Sequence, residues 1–233
     1  ARSAPGTLSI KPNEMQFTVI PAPANSLDNC RLNPTTAPLF MVVWRCTRNC
    51  VGTCTYCSYI KDYAKDQELS TEQAKHMVDE IADFGSQWFG ISGGEPLVRP
   101  DIWEIIEYAE KEHGLNVSLI TSGYAWDKDR FDKLTKYNVK TAISIDGTKA
   151  TNDKIRRQGG YDKALNAMKE LSSVGLLDCL VTTMTKFNIN DLPHTAELAE
   201  QYHARSVVYH NLVPVGRAGQ HMEDIAPTPD EYE

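Results

Sequence analysis

Residues 39–44, Leu39-Phe40-Met41-Val42-Val43-Trp44, form a short apolar run that leads through Arg45-Cys46-Thr47-Arg48-Asn49 into Cys50-Val51-Gly52-Thr53-Cys54-Thr55-Tyr56-Cys57. A second run, 88–92, opens directly into Gly93-Gly94-Glu95-Pro96. Both runs have the length and the β-branched and aromatic content of strands. Each passes through a glycine-bearing loop into a helical pattern, so strand, loop and helix recur as a unit.

The unit repeats along the chain. After the cysteines, Ser70 and Gln73 make a capping box, and Met77, Val78, Ile81 and Ala82 mark one face of the first helix. A helix from about Asp101 places Ile102, Ile105, Ile106 and Ala109 on one face and stops at Gly114. Further strands are expected at 116–121, 139–145, 177–185 and 206–212. Their helices are marked by Phe131 and Leu134, by Leu165, Met168 and Leu171 ending near Gly175, and by an entry at Pro193 after Asn188 and Asn190. Six β-then-α units imply an α/β fold with a parallel sheet. Periodicity leaves a closed barrel, an open sheet and a partial barrel as alternatives. Residues 1–38 are rich in proline and poor in periodicity, and read as an extended arm packed across the barrel.

The 233 residues suit one domain of ordinary size or slightly more. A net charge of −7 without a contiguous basic stretch argues against a nucleic-acid partner. No apolar run approaches the ~20 residues that span a bilayer. Cys46, Cys50, Cys54 and Cys57 crowd into one loop with no secretory signal ahead of them, which points to a reducing, cytoplasmic compartment rather than to disulfides. The start at Ala1 and the ending Pro227-Thr228-Pro229-Asp230-Glu231-Tyr232-Glu233, which reads as a helix entry with Thr228 as cap, suggest a fragment.

Three closely spaced thiolates can ligate three irons of a cubane cluster and leave the fourth open to a ligand that is not protein. Gly52 lets the loop curl so that the sulfurs converge. With Cys46 as a fourth thiolate a structural zinc is the rival reading, although the long spacer between paired knuckles is missing. Cys30 reads as a free or buried thiol and Cys179, inside a strand, as core.

The cysteine spacing with Tyr56 before the last cysteine resembles the C-x₃-C-x-aromatic-C signature of the radical S-adenosylmethionine (radical SAM) enzymes. The resemblance extends to Gly93-Gly94-Glu95-Pro96, to Ser144-Ile145-Asp146-Gly147, to Asp153-Lys154-Ile155-Arg156-Arg157 with Gly159-Gly160-Tyr161, and to Val213-Pro214-Val215-Gly216-Arg217. It implies a (β/α)₆ partial TIM barrel over 39–220, an N-terminal extension over 1–38, and the start of a further region over 221–233. It also implies a 4Fe-4S cluster on Cys50, Cys54 and Cys57. S-adenosylmethionine would be held by Tyr56, Gly93, Gly94, Glu95, Pro96, Ser122, Ser144, Arg156 (or Arg157), Thr183 and the backbone at Val213.

By the same resemblance the chain is closest to members with an auxiliary-cluster domain of the SPASM or twitch type, which modify peptides or tetrapyrrole side chains. A ferredoxin- or flavodoxin-type donor would supply electrons, and auxiliary clusters would lie in a region beyond residue 233. A cobalamin-dependent radical methyltransferase and an iron-sulfur electron carrier or regulator are the alternatives. The histidines show no metal-ligand spacing: His76, His113, His194 and His203 read as solvated, and His210 as a candidate to face the barrel interior.

Overall fold

The structure, a computed structural model, describes residues 17–21, 40–57 and 68–232. Cys30 and the rest of the expected arm lie outside the described residues. Six parallel strands, β2 (Phe40–Arg45), β3 (Trp88–Ser92), β4 (Asn116–Thr121), β5 (Lys140–Ser144), β6 (Leu177–Thr183) and β7 (Ser206–His210), stand in chain order in one sheet. The first strand, β1 (Phe17–Pro21), adds to the edge antiparallel to β2, with Phe17 opposite Trp44. Among the described residues no pairing joins β7 back to β1, so the sheet is an open, partial (β/α)₆ barrel with an extra edge strand. Within the arm, 17–21 therefore extends the sheet, a pairing that depends on the distant strand β2 and leaves no periodic trace.

The helices follow their strands. Helix α1 (Thr71–Asp83) starts at the Ser70–Gln73 capping box and buries Ala74, Met77, Val78 and Ile81. Helix α2 (Ile102–Lys111) buries Ile102, Ile105, Ile106 and Ala109 along one stripe. Helices α3 (Lys128–Lys136), α5 (Gly160–Ser173) and α6 (Leu192–Gln201) bury Leu134, Met168 and Leu171, and Leu198 respectively. Strands β3 and β5 are buried at their three central positions, as expected where helices cover a parallel sheet. Each large apolar side chain so buried contributes about 1.5–3 kcal/mol.

Several local readings change. Residues Lys149–Ile155, for which the sequence reading gave no helix, form the short helix α4, and Arg156 is its C-terminal cap. Asp153 accepts from the N–H groups of Gly159 at 3.0 Å and Tyr161 at 2.9 Å, so it caps the start of α5. Cys179 is half-buried rather than core. His113 and His194 are half-buried and partnered, the first with Asp79 at 2.8 Å and the second with the Tyr161 hydroxyl at 2.7 Å. After β7 come two short helices, α7 (Gly216–Gln220) and α8 (Met222–Ile225), and Ile225 is buried with its carbonyl accepting from Lys186 N–H at 3.0 Å. Among the described residues no helix is long and apolar enough to cross a membrane.

Candidate functional site

A cavity of about 360 Å³ opens at the carboxyl ends of β2 to β7, where parallel sheets place their ligands. Every strand contributes its last residue or the loop beyond: Arg45 and the cysteine loop, Ser92 and Gly93, Thr121 and Ser122, Ser144, Thr183, and His210 through Val213. Cys50, Cys54, Tyr56 and Cys57 all line it, as do Gly94, Arg156 and Val213. Of the residues expected from the sequence to hold cluster or cofactor, Glu95 and Pro96 lie outside the lining, buried beneath the turn they belong to, and the alternative Arg157 lies outside it too, exposed. His210 does line the cavity.

Three sets of backbone contacts hold the cysteine loop. The Gly-Gly turn continues the β2–β3 pairing: Cys46 N–H donates to Ser92 O at 2.8 Å, Gly94 N–H to Thr47 O at 2.7 Å and Glu95 N–H to Asn49 O at 2.8 Å. A side chain on Gly94 would stand 2.3 Å from Asn49 O, and one on Gly93, at φ 151°, 2.7 Å from Thr47 O. Glycine is required there because the turn lies directly on the cysteine loop. From the other side, Thr53 and Thr55 N–H donate to the carbonyls of Arg156 and Ile155 at the end of α4, and Arg157 Nη1 donates to Val51 O. Arg217 N–H, in α7, donates to Cys57 O at 3.0 Å.

Glu95 is fully buried and fixes the turn. Its carboxylate accepts from the hydroxyls of Thr121 and Ser122, each at 2.6 Å, and from the N–H groups of Ser122 and Leu97. Asp146, also fully buried, joins three elements: it accepts from Tyr56 Oη at 2.6 Å, Arg156 Nε at 2.6 Å and Thr183 N–H at 2.9 Å, while its own N–H donates to Asn152 Oδ1. Burial would lower Arg156, but the Asp146 carboxylate outweighs it and holds the guanidinium charged. Asn188 is buried and closes a turn on Thr185 and Thr183 O.

The donor set suits an iron-sulfur group. A side-chain carbon at Gly52 would sit 3.4 Å from Cys50 Sγ and 3.6 Å from Cys54 Sγ, so the thiols border a space that glycine leaves open. Gly52 N–H donates to Cys50 Sγ at 3.3 Å. Burial pushes the Cys54 thiol up, the Arg156 cation pulls it down, and Asp146, Cys57 and Cys50 push it up further, as for thiols gathered in one place. Cys46 lies outside this group: it is buried, and burial raises its thiol well above the ordinary range.

Sequence reading passed over Thr121, Asp146 and Asn152 as site residues. Asp146 stood in the quoted Ser-Ile-Asp-Gly stretch, the one local signal for it. Thr121 stood next to Ser122, which was singled out, and Asn152 carried no signal.

Comparison with known proteins agrees with this geometry. The profile described as the Radical SAM superfamily matches residues 44–199. The chain is 34% identical to Fe-coproporphyrin III synthase of Methanosarcina barkeri over 79% of its own length and 47% of that protein's. It is 33% identical to mycofactocin maturase MftC of Mycolicibacterium smegmatis, over 84% and 50%. The chain thus spans about half the length of these curated relatives. Its fold is similar to that of Streptococcus suis SuiB bound to S-adenosylmethionine, with a TM-score of 0.64 at 17% identity, over 74% of this chain and 40% of that one.

Proposed function

Since the chain belongs to the radical SAM superfamily, whose members bind a 4Fe-4S cluster and S-adenosylmethionine, we propose that it is the catalytic core of an enzyme that abstracts hydrogen from a peptide or from a tetrapyrrole side chain. Cys50, Cys54 and Cys57 would hold the cluster. When bound, cluster and S-adenosylmethionine together supply a 5′-deoxyadenosyl radical by one-electron cleavage of the sulfonium.

The protein's own residues bind, orient and exclude water. The Gly93-Gly94 backbone lies against the cysteine loop and can receive the amino acid end of the cofactor beside the thiols. Arg156 keeps its Nη donors for a carboxylate while Asp146 holds its Nε. Ser144 and Thr183 offer hydroxyls at adjacent strand ends, and Ser122, its hydroxyl held by Glu95, supports the turn from below. The exposed Val213 backbone and the Tyr56 ring border the remainder of the cavity, where an adenine fits. A donor of the ferredoxin or flavodoxin type completes the reaction.

The observation that carries this reading is the convergence of three thiols and a glycine turn on one cavity at the strand ends. The two curated relatives support the substrate classes. Anaerobic cluster reconstitution, reduction with dithionite and addition of S-adenosylmethionine is expected to yield 5′-deoxyadenosine, faster with iron coproporphyrin or a cognate precursor peptide present. A fully loaded protein that forms none overturns the reading.

A further inference from the structure

Two residues of the cavity have no task in the function above. Arg45 ends β2 and His210 ends β7, the first and last of the parallel strands, so they flank the open side of the sheet, and both line the cavity. Strand alternation sets their direction. Trp44 and Cys46 are buried on the helix-covered face, which turns Arg45 to the other one. Tyr209 Oη meets Thr195 Oγ1 at 3.0 Å and Leu192 O at 3.1 Å in α6, which turns His210 away from the helices as well. Both residues are exposed, and the His210 ring has no hydrogen-bond partner among the described residues.

Among the described residues no carboxylate lines this cavity, whereas Arg45 and Arg156 both do, on a chain with 31 aspartates and glutamates against 24 lysines and arginines. Arg156, held by Asp146, is matched by the carboxylate of the cofactor in the function proposed, so Arg45 brings a second cation to the same space. Beyond His210 the chain turns apolar. Leu212 and Val213 line the cavity, and Val215, whose N–H donates to Val213 O at 2.7 Å, stands beside them. Val213 is 58% exposed and Val215 47%. A guanidinium and an imidazole next to an open apolar rim match a flat apolar ligand that carries carboxylates at its edge.

We propose that Arg45 and His210 hold a propionate carboxylate of a tetrapyrrole substrate whose ring lies against Leu212 and Val213. The proposal rests on the function inferred above and selects one of its two substrate classes. The guanidinium supplies a two-donor fork and the imidazole a further donor, and charge-assisted hydrogen bonds of this kind are about twice as strong as neutral ones. A cavity wall free of acids leaves that attraction unopposed.

The test titrates the anaerobic, cluster-loaded protein with iron coproporphyrin III and with its tetramethyl ester, and follows the shift of the Soret band. Wild type is expected to bind the acid about tenfold or more tighter than the ester. Arg45→Gln should weaken the acid about tenfold and leave the ester unchanged, and His210→Leu should weaken the acid severalfold. Iron and sulfide per chain and the Kd for S-adenosylmethionine should stay at their wild-type values in both variants, which also shows that they are folded. Equal affinity of wild type and Arg45→Gln for the acid overturns the proposal, as does an Arg45→Gln variant that loses S-adenosylmethionine as much as the acid, which would give Arg45 to the cofactor. An ester weakened as much as the acid in His210→Leu overturns the part given to His210. A wild type that binds neither porphyrin but forms 5′-deoxyadenosine with dithionite overturns the tetrapyrrole assignment and leaves the radical chemistry standing. Absence of 5′-deoxyadenosine from a loaded wild type that still binds the acid through Arg45 overturns the function, and with it the porphyrin's role as substrate.

Discussion

The Tyr56 hydroxyl donates to Asp146 Oδ2 at 2.6 Å, tying the aromatic residue of the cysteine loop to the turn after β5, ninety positions along the chain. Burial pushes the Tyr56 phenol well above its ordinary range, so it remains a donor. The same carboxylate oxygen takes Arg156 Nε, and the Asp146 and Arg156 side chains are 0% and 11% exposed. Removing one partner of a buried pair leaves the other uncompensated. Asp146→Ala is therefore expected to cost about 3–5 kcal/mol in urea unfolding, against about 1 kcal/mol for Tyr56→Phe. The double variant should cost less than the sum. An Asp146→Ala protein as stable as wild type contradicts this account.

The close approach of the glycine turn makes its own prediction. An alanine at Gly94 meets Asn49 O at 2.3 Å and Cys50 Cβ at 2.9 Å, and the backbone it strikes carries the first thiol. Gly94→Ala should keep its far-ultraviolet circular dichroism but hold severalfold less iron after reconstitution. Gly85→Ala, at φ 90° with nothing within 4 Å, serves as control: it costs about 1 kcal/mol of backbone strain and leaves iron content alone. Equal iron in Gly94→Ala and wild type would remove the steric argument.

Cysteine substitutions separate the ligand set from the neighbouring thiol. Cys54→Ala should abolish the cluster, read as iron and labile sulfide per chain. Cys46→Ala should retain it, because that thiol is buried outside the cavity lining and burial keeps it protonated. Cluster loss in both variants would bring Cys46 into the ligand set.

Asp153 predicts a pH dependence. Burial would raise its carboxyl, but the N–H groups of Tyr161 and Gly159 and the Lys149 ammonium outweigh it and hold it below the ordinary 3.8. A folded value below the unfolded one means that its stabilisation is complete above about pH 4 and fades as pH falls through the folded value. Asp153→Ala should cost about 1–2 kcal/mol near pH 6, as for a lost helix cap, and the gap to wild type should narrow as the pH falls below the ordinary 3.8. A gap that does not change with pH would show that the charge contributes nothing.

The β3 and β4 boundaries, the α1 capping box and the apolar stripe of α2 were legible in the sequence because strand period, helix period and capping are local rules. Helix α4 was not legible: its short polar stretch has no apolar stripe, and it is held by contacts of Asp153 and Asn152 to backbone elsewhere. The half-buried Cys179 was misread because an edge-proximal strand has a face that fewer helices cover.

Apart from α4, the order of strands and helices, the three cysteines and the glycine turn can all be read from neighbouring residues. What holds them together emerges from contacts between distant segments. Glu95 meets Thr121 and Ser122, Tyr56 meets Asp146, and Thr55 meets Ile155 across separations that no local spacing encodes. A buried carboxylate is stable only where the fold brings it donors, and which donors those are depends on how adjacent parallel strands align their carboxyl ends.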